Sequence, residues 1–283
     1  NFSTSLLCYV VFRSLQRRAQ MNICFTCDGN YLRALEVALI SVLENTNDEV
    51  KFHIVKGSDF ETDSICAICD EYGSEVAFYT LDSKLKAPGR FTPAIYSRLF
   101  LDIVVSDKLD RILYLDCDLV VRSDLRDFYY SDFNDNYLIA AEDFGDNYIE
   151  KFKLDYSLEK YFNSGVLLFN MRKLKEDSIF KNARDSYSLT FKYADQDMLN
   201  LAVNGAWLSV GDEYNYMGAV LNPDAKIVHY AHCKPWEYFC FNNNSGVYFD
   251  YEKLVVSNSS SMYMKFSLKR VLRNIYNMIL GWF

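Results

Sequence analysis

Short apolar runs alternate with helix-patterned stretches through the first 120 residues, and no other feature limits the folds open to this chain as strongly. Residues 22–27 read as a strand, 32–45 as a buried helix, 51–55 as a strand and 61–72 as a helix. Residues 76–79 follow as a strand, 94–105 as a helix and 111–115 as a strand. Such βαβ repetition specifies a mostly parallel sheet with helices on both faces. Beyond residue 120 the pattern loosens. Strands are expected at 137–141, 166–169 and 226–230, and helices at 171–186 and 196–203. No internal repeat or low-complexity linker interrupts the chain, so one continuous α/β domain over residues 21–261 is the simplest organisation.

Composition agrees with a long-element globular domain. Half the residues are hydrophobic, and 22 Tyr and 21 Phe stand against only 11 Gly and 4 Pro. That excludes a disordered tail protein, a collagen and a small disulfide scaffold. The 30 basic and 38 acidic residues give a net charge of −8, the wrong sign for a nucleic-acid-binding body. No apolar run approaches the ~18 residues of a spanning helix. The apolar residues 6–12 precede Arg13, Arg17 and Arg18, the reverse of a signal peptide's order. Met21-Asn22-Ile23 opens directly into a strand, so residues 1–20 are expected outside the folded core.

Eight cysteines include two CxxC pairs. Cys24 and Cys27 lie on a strand, where positions three apart face opposite ways, and Cys66 and Cys69 lack a second pair. Free thiols in a reducing compartment are expected instead of a zinc site. The last segment, 262–283, carries Lys265, Lys269, Arg270 and Arg273 and no acid, interleaved with Phe266, Leu272, Ile275, Met278, Ile279, Trp282 and Phe283. A basic amphipathic helix of this kind suits an anionic membrane surface. A helix docked on the core, or a dimer contact, is the alternative.

The most informative stretch is Arg111-Ile112-Leu113-Tyr114-Leu115-Asp116-Cys117-Asp118. An apolar strand runs into two aspartates that share a face in extended backbone, their Cα atoms roughly 6.5–7 Å apart. Ligands of parallel α/β sheets bind beyond the carboxyl ends of strands. Two carboxylates there repel unless a cation lies between them, and oxygen ligands suit Mn²⁺ or Mg²⁺. A pair of exposed turn aspartates is the alternative.

The surrounding motifs resemble glycosyltransferase family 8, over residues 21–240 and in the family's order. Phe25-Thr26-Cys27-Asp28-Gly29-Asn30-Tyr31 resembles the first-strand motif, in which Thr26, Asp28 and Asn30 would contact the donor's uridine. Tyr96-Ser97-Arg98-Leu99 resembles the YxRL helix, whose Arg98 would reach the donor. Asp116-Cys117-Asp118 matches the DxD motif, and Ala140-Ala141-Glu142-Asp143 resembles the strand whose Asp143 lies near the transferred sugar. Asn163-Ser164-Gly165 looks like the N(A/S)G motif, and Asp195-Gln196-Asp197 like the DQD helix, with Asp195 and Gln196 at the reacting carbon. His229 through Trp236 resembles HxxGxxKPW, which would supply His229 to the metal and Lys234 to the diphosphate. The His229–Lys234 spacing is five where the family has six, and His232 replaces the usual Gly, making His232 a rival metal ligand.

The resemblance implies a GT-A (Rossmann-like) nucleotide-diphospho-sugar transferase fold of the α/β class, with a mixed, mostly parallel central sheet and a basic helical tail. It implies a retaining hexosyltransferase that takes UDP-glucose or UDP-galactose as co-substrate. The metal, Mn²⁺ with Mg²⁺ as alternative, would sit on Asp116, Asp118 and His229. The acceptor would be a glycan or lipid-linked glycan, as in lipopolysaccharide synthesis, in the cytoplasm at the inner membrane face. Gln196 is a poor nucleophile, which favours a front-face route over a double displacement. Asp195, Asp143 and Asn163 would hold sugar hydroxyls, although Asn163 also reads as a loop cap and Asp195 as a helix N-cap. His53, mid-strand, reads as structural. A catalytically inactive sugar-nucleotide binder and a haloacid-dehalogenase-like phosphatase using DxDxV are the alternatives; no nucleic acid is expected.

Overall fold

A computed structural model describes residues 20–80, 96–105, 108–145, 147–185, 191–256 and 268–279, and the expected alternation is realised in them. β1 (Gln20–Cys27) passes through a 3-10 turn, Gly29–Tyr31, into α1 (Leu32–Asn45). β2 (Glu49–Lys56), α2 (Asp63–Glu71) and β3 (Glu75–Thr80) follow. Gln20 is thus already in the first strand, and the rest of the expected extension lies outside the described residues. α1 is buried continuously from Ala34 to Val42, the pattern of a helix covered on all sides.

The stretch expected as one helix at 94–105 differs. Its first two residues lie outside the described set. A 3-10 turn at Ser97–Phe100 then leads into the short α3 (Leu101–Val104). All four side chains of that turn are buried, so no solvent-facing stripe dictates a regular α-helical period.

β4 (Arg111–Leu115) pairs parallel with β1, as β1 does with β2 and β2 with β3. After β4 come β5 (Leu119–Val121), α4 (Arg126–Tyr129), β6 (Leu138–Glu142), α5 (Asn147–Tyr156) and β7 (Phe162–Asn170). β7 inserts antiparallel between β4 and β6. α6 (Met171–Glu176), α7 (Ile179–Asp185), α8 (Ala194–Val203) and β8 (Leu208–Val210) complete this half. β8 lies parallel to β6, and the sheet order is β3-β2-β1-β4-β7-β6-β8. The sheet is therefore mixed and mostly parallel.

β7 is buried at all nine positions. Both its faces are covered, which removes the alternation that marks a strand's limits and explains why only 166–169 was expected. The single helix expected at 171–186 is split, because Ser178 adopts a left-handed φ of 57° between α6 and α7. The late strand expected at 226–230 is β9 (Ile227–His229). It joins β5 in a separate antiparallel ribbon rather than the main sheet. α9 (Ser245–Glu252) and α10 (Leu268–Ile279) end the described chain.

Neighbouring β1 side chains enter two cores on opposite sheet faces. Ile23 and Phe25 pack with α1, β5 and β9, whereas Cys24 packs with Leu99, Tyr114 and Phe169. Cys27 shares the first core, so the Cys24–Cys27 pair does diverge. The seven described cysteines are free thiols. His53 is buried between Tyr79 and Asn22, with ring nitrogens 2.9 and 3.0 Å from their oxygens, a structural role.

Candidate active site

The acid pair sits where β4 ends. The Asp116 N–H donates to the Gly165 carbonyl at 2.8 Å, which ties the motif to β7. The Tyr230 N–H donates to the Asp118 carbonyl at 2.9 Å, and Leu119 pairs with His229 in the β5–β9 ribbon. The ribbon therefore brings His229, 111 positions later in the chain, to the two aspartates. One ligand atom from each of Asp116, Asp118 and His229 lies within 4.8 Å of the others, and among the described residues this is the only such cluster. His229 Nε2 is 3.3 Å from Asp118 Oδ1 and 3.8 Å from Asp116 Oδ2. Cys117, between the aspartates, turns into the core with Sγ 3.2 Å from the Thr26 carbonyl. His232 is not part of the cluster, although it lines the same pocket.

The tautomer of His229 follows from its neighbours. The Gly165 N–H donates to Asn163 Oδ1 at 2.9 Å. A backbone donor is unambiguous, so Asn163 Oδ1 is an acceptor, and Asn215 Nδ2 donates to it at 3.0 Å. Asn215 Oδ1 then faces His229 Nδ1 at 2.8 Å and accepts its proton. Nε2 is left with a lone pair toward the carboxylates, the form a metal-binding imidazole needs. A methyl group at Gly165 would lie 2.2 Å from His229 Cε1. The glycine of the motif is there to let this ring approach.

Two cations neutralise the aspartates. Arg98 donates from Nη2 to Asp116 Oδ1 at 2.8 Å and from Nη1 to the Ser164 carbonyl, and its guanidinium lies 4.4 Å from the Tyr114 ring centroid. Its Nε is 2.9 Å from Asp195 Oδ2, a charge contact without hydrogen-bond geometry. Burial opposes the Arg98 charge, but Asp116 and Asp195 outweigh it and raise its pKa. Burial pushes Asp195 up to about 6 against the pull of Arg98. Lys234 pairs with Asp118 and donates to the Tyr230 and Ala231 carbonyls at 2.7 and 3.2 Å. Burial disfavours ionised Asp118, yet Lys234 prevails and holds its carboxyl well below the usual range.

Gln196 is the middle residue of the DQD segment, in the first turn of α8. The Ser164 N–H donates to its Oε1 at 2.9 Å, and Asn163 Nδ2 does so at 3.2 Å. Its Nε2 donates to Asp143 Oδ2 and to the Tyr161 hydroxyl, each at 3.2 Å. Both ends of the amide are thereby assigned. The N-cap of α8 is Tyr193, not Asp195, which stands inside the first turn and spends its carboxylate on Arg98 and Ser164.

A pocket of roughly 910 Å³ opens over these groups. Asp116, Asp118, Asp143, Asn163, Gln196, His229 and Lys234 line it. Arg98 and Asp195 lie buried behind that lining. Thr26 bonds the Tyr114 hydroxyl at 2.9 Å, and that hydroxyl donates to Asp116 at 2.8 Å. Asp28 caps the 3-10 turn through the Asn30 N–H; both stand at the carboxyl end of β1, outside the pocket lining. Asn215, Tyr161 and Tyr114 were not anticipated. Asn215 falls in irregular chain without a periodic signal, and the tyrosines read simply as core.

Residues 22–240 match the family model for Glycosyl transferase family 8. A Haemophilus influenzae protein is 30% identical over 209 residues, 69% of this chain and 63% of its own length. The lipopolysaccharide 1,2-glucosyltransferase of Escherichia coli K12 is 26% identical over 69% of this chain and 62% of its length. The chain thus spans under two thirds of these two relatives. The crystal structure of an active-site mutant of LgtC superposes with a TM-score of 0.72 at 25% identity, covering 84% of this chain and 97% of LgtC. GlyE of Streptococcus pneumoniae TIGR4 gives 0.68 at 25% identity, covering 86% of this chain and 63% of GlyE. The fold is GT-A, and this chain belongs to glycosyltransferase family 8.

Proposed function

We propose that the protein is a retaining glycosyltransferase that moves a hexose, glucose or galactose, from a UDP-sugar to a glycan acceptor in lipopolysaccharide or surface-polysaccharide synthesis. One observation carries this reading: Asp116, Asp118 and His229 converge on one pocket with Gln196. Two carboxylates and an imidazole with its Nε2 lone pair exposed fit a divalent cation, Mn²⁺ or Mg²⁺. Held by these three residues, the ion would supply Lewis-acid stabilisation of the departing diphosphate. Lys234 and Arg98 add fixed positive charge where negative charge develops. Gln196 offers an amide already committed at both ends, which suits orientation of the sugar rather than nucleophilic attack. Asp143 and Asn163 would hold sugar hydroxyls, with Asp195 behind them holding Arg98 and Ser164, and Thr26, Asp28 and Asn30 would hold the uridine beyond β1. The names of the E. coli relative and of the lipopolysaccharide 1,3-galactosyltransferase of Salmonella typhimurium, 26% identical over 77% of this chain, support the hexose and the acceptor class.

A cytoplasmic enzyme at the inner membrane face completes the reading, with residues 262–283 as its membrane contact. Among the described residues no helix is long and apolar enough to cross a membrane. α10 instead exposes Leu268, Leu272 and Tyr276, four residues apart on one side, while Val271 and Asn274 face inward. Arg270 and Arg273 meet Glu237 with half their side chains exposed.

UDP release from a panel of UDP-sugars, with Mn²⁺ or with chelator, tests the proposal. Mn²⁺-dependent release from one donor, stimulated by a lipid-glycan acceptor mixture, is the expected result. No release from any donor, with the acceptor mixture present, would favour an inactive sugar-nucleotide binder.

A further inference from the structure

Asp197, the last residue of the DQD segment, is wholly buried and does not line the pocket. Its Oδ1 accepts from the Tyr161 hydroxyl. Its Oδ2 accepts from the Tyr148 hydroxyl at 2.6 Å and from the Tyr193 N–H at 3.0 Å. Tyr161 is itself 1% exposed, packed edge-on against Phe152. Its hydroxyl has one proton, and Asp197 takes it. The oxygen is therefore left only as an acceptor, and it meets Gln196 Nε2 at 3.2 Å. The direction of every hydrogen bond in the chain Gln196→Tyr161→Asp197 is thus set by a group that cannot donate when ionised.

Resting on the glycosyltransferase reading above, we infer that Tyr161 and Asp197 are a positioning pair: they hold the Gln196 amide in the one orientation that presents it correctly to the transferring sugar. Neither touches the substrate. Tyr161→Phe keeps the ring and its packing and removes one of the two acceptors of Gln196 Nε2, leaving Asp143 alone. Asp197→Asn does more. With its oxygen kept on Tyr148 and Tyr193, its new NH₂ donates to Tyr161. The tyrosine proton then turns onto Gln196 Nε2, donor against donor, so that bond is lost and the amide is pushed off the position Tyr161 gave it.

The test uses the full chain in two arms. In the first, the side-chain amide pair of Gln196 is followed by NMR and identified by its loss in Gln196→Glu. Two sharp, separated proton signals are expected for the unmodified protein, and broadening or collapse toward the exposed-amide position in Tyr161→Phe. In the second, kcat for donor turnover falls about ten- to a hundredfold in both variants while KM for the donor stays within about twofold. A merely structural role would lower melting temperature without that split. Unchanged Gln196 signals in folded Tyr161→Phe and Asp197→Asn would overturn the pair. If the unmodified protein turned over no donor, the glycosyltransferase reading would fail, and the NMR arm would still decide the positioning claim.

Discussion

His229 Nδ1 and Asn215 Oδ1 stand 2.8 Å apart, both residues buried, and this contact decides which ring nitrogen faces the acid pair. The order runs back through Asn163 to a backbone N–H at Gly165, so no side-chain flip is free to reverse it. Asn215→Ala should therefore weaken Mn²⁺ binding by about 10–100-fold, as loss of an orienting partner typically does. Titration calorimetry on the folded variant would show this, and an unchanged affinity would refute the orienting role.

Gly165→Ala places a methyl group against the His229 ring, 2.7 Å from Nδ1 as well as 2.2 Å from Cε1. The ring is buried and must move. Metal affinity should fall with the fold intact, which Mn²⁺ titration beside a far-UV spectrum would report.

Asp118→Ala and His229→Ala should each abolish metal-dependent turnover without unfolding the chain. Asp118→Ala also strips Lys234 of its ion-pair partner, so residual donor binding should weaken more steeply with added salt than in His229→Ala, where that pair persists. Wild-type turnover in both variants would sink the site assignment.

His53 gives the pH prediction. Burial first, and then Lys51, lower its pKa from 6.5 to about 4. The native state holds the ring neutral while the unfolded chain takes up a proton, so stability is full above the unfolded value and declines as pH falls from about 6.5 to about 4. The loss should approach about 3 kcal/mol once pH is below both values. Urea unfolding of His53→Gln at pH 7 and pH 4 should show a smaller pH effect than the unmodified chain; equal slopes would remove His53 as the cause.

Leu272 projects from α10 between Leu268 and Tyr276 and is 57% exposed. If that side enters an anionic bilayer, Leu272→Asp removes about 1.5–3 kcal/mol of apolar transfer and adds a repelled charge. Vesicle co-sedimentation should fall at least about tenfold, with UDP release in solution preserved. Unchanged sedimentation would refute the membrane contact.

Much of the first half was legible because β1, β2, β3 and β4 are separate apolar runs joined by periodic helices, and parallel pairing follows from that order. β7 was legible only in its second half, since burial on both faces erases the period. The break at Ser178 was hidden because a left-handed serine carries no local signature. Asp116 and Asp118 stood out by position at a strand end, and Gln196 through its motif. Asn215, Tyr161 and Asp197's contacts did not, because their importance lies in what each one touches.

By itself, the sequence determined the kinds of chemistry available: two carboxylates beyond an apolar strand, a histidine and lysine late in the chain, and an amide between acids. Local spacing and period suffice for that, since they act over a few residues. Only the tertiary structure decided that β7 runs antiparallel into the sheet, that the β5–β9 ribbon carries His229 to Asp118, and that Asn215 selects the imidazole proton. Those relations join positions far apart in the chain through backbone pairing and directed hydrogen bonds, and no local pattern encodes the partner at the other end.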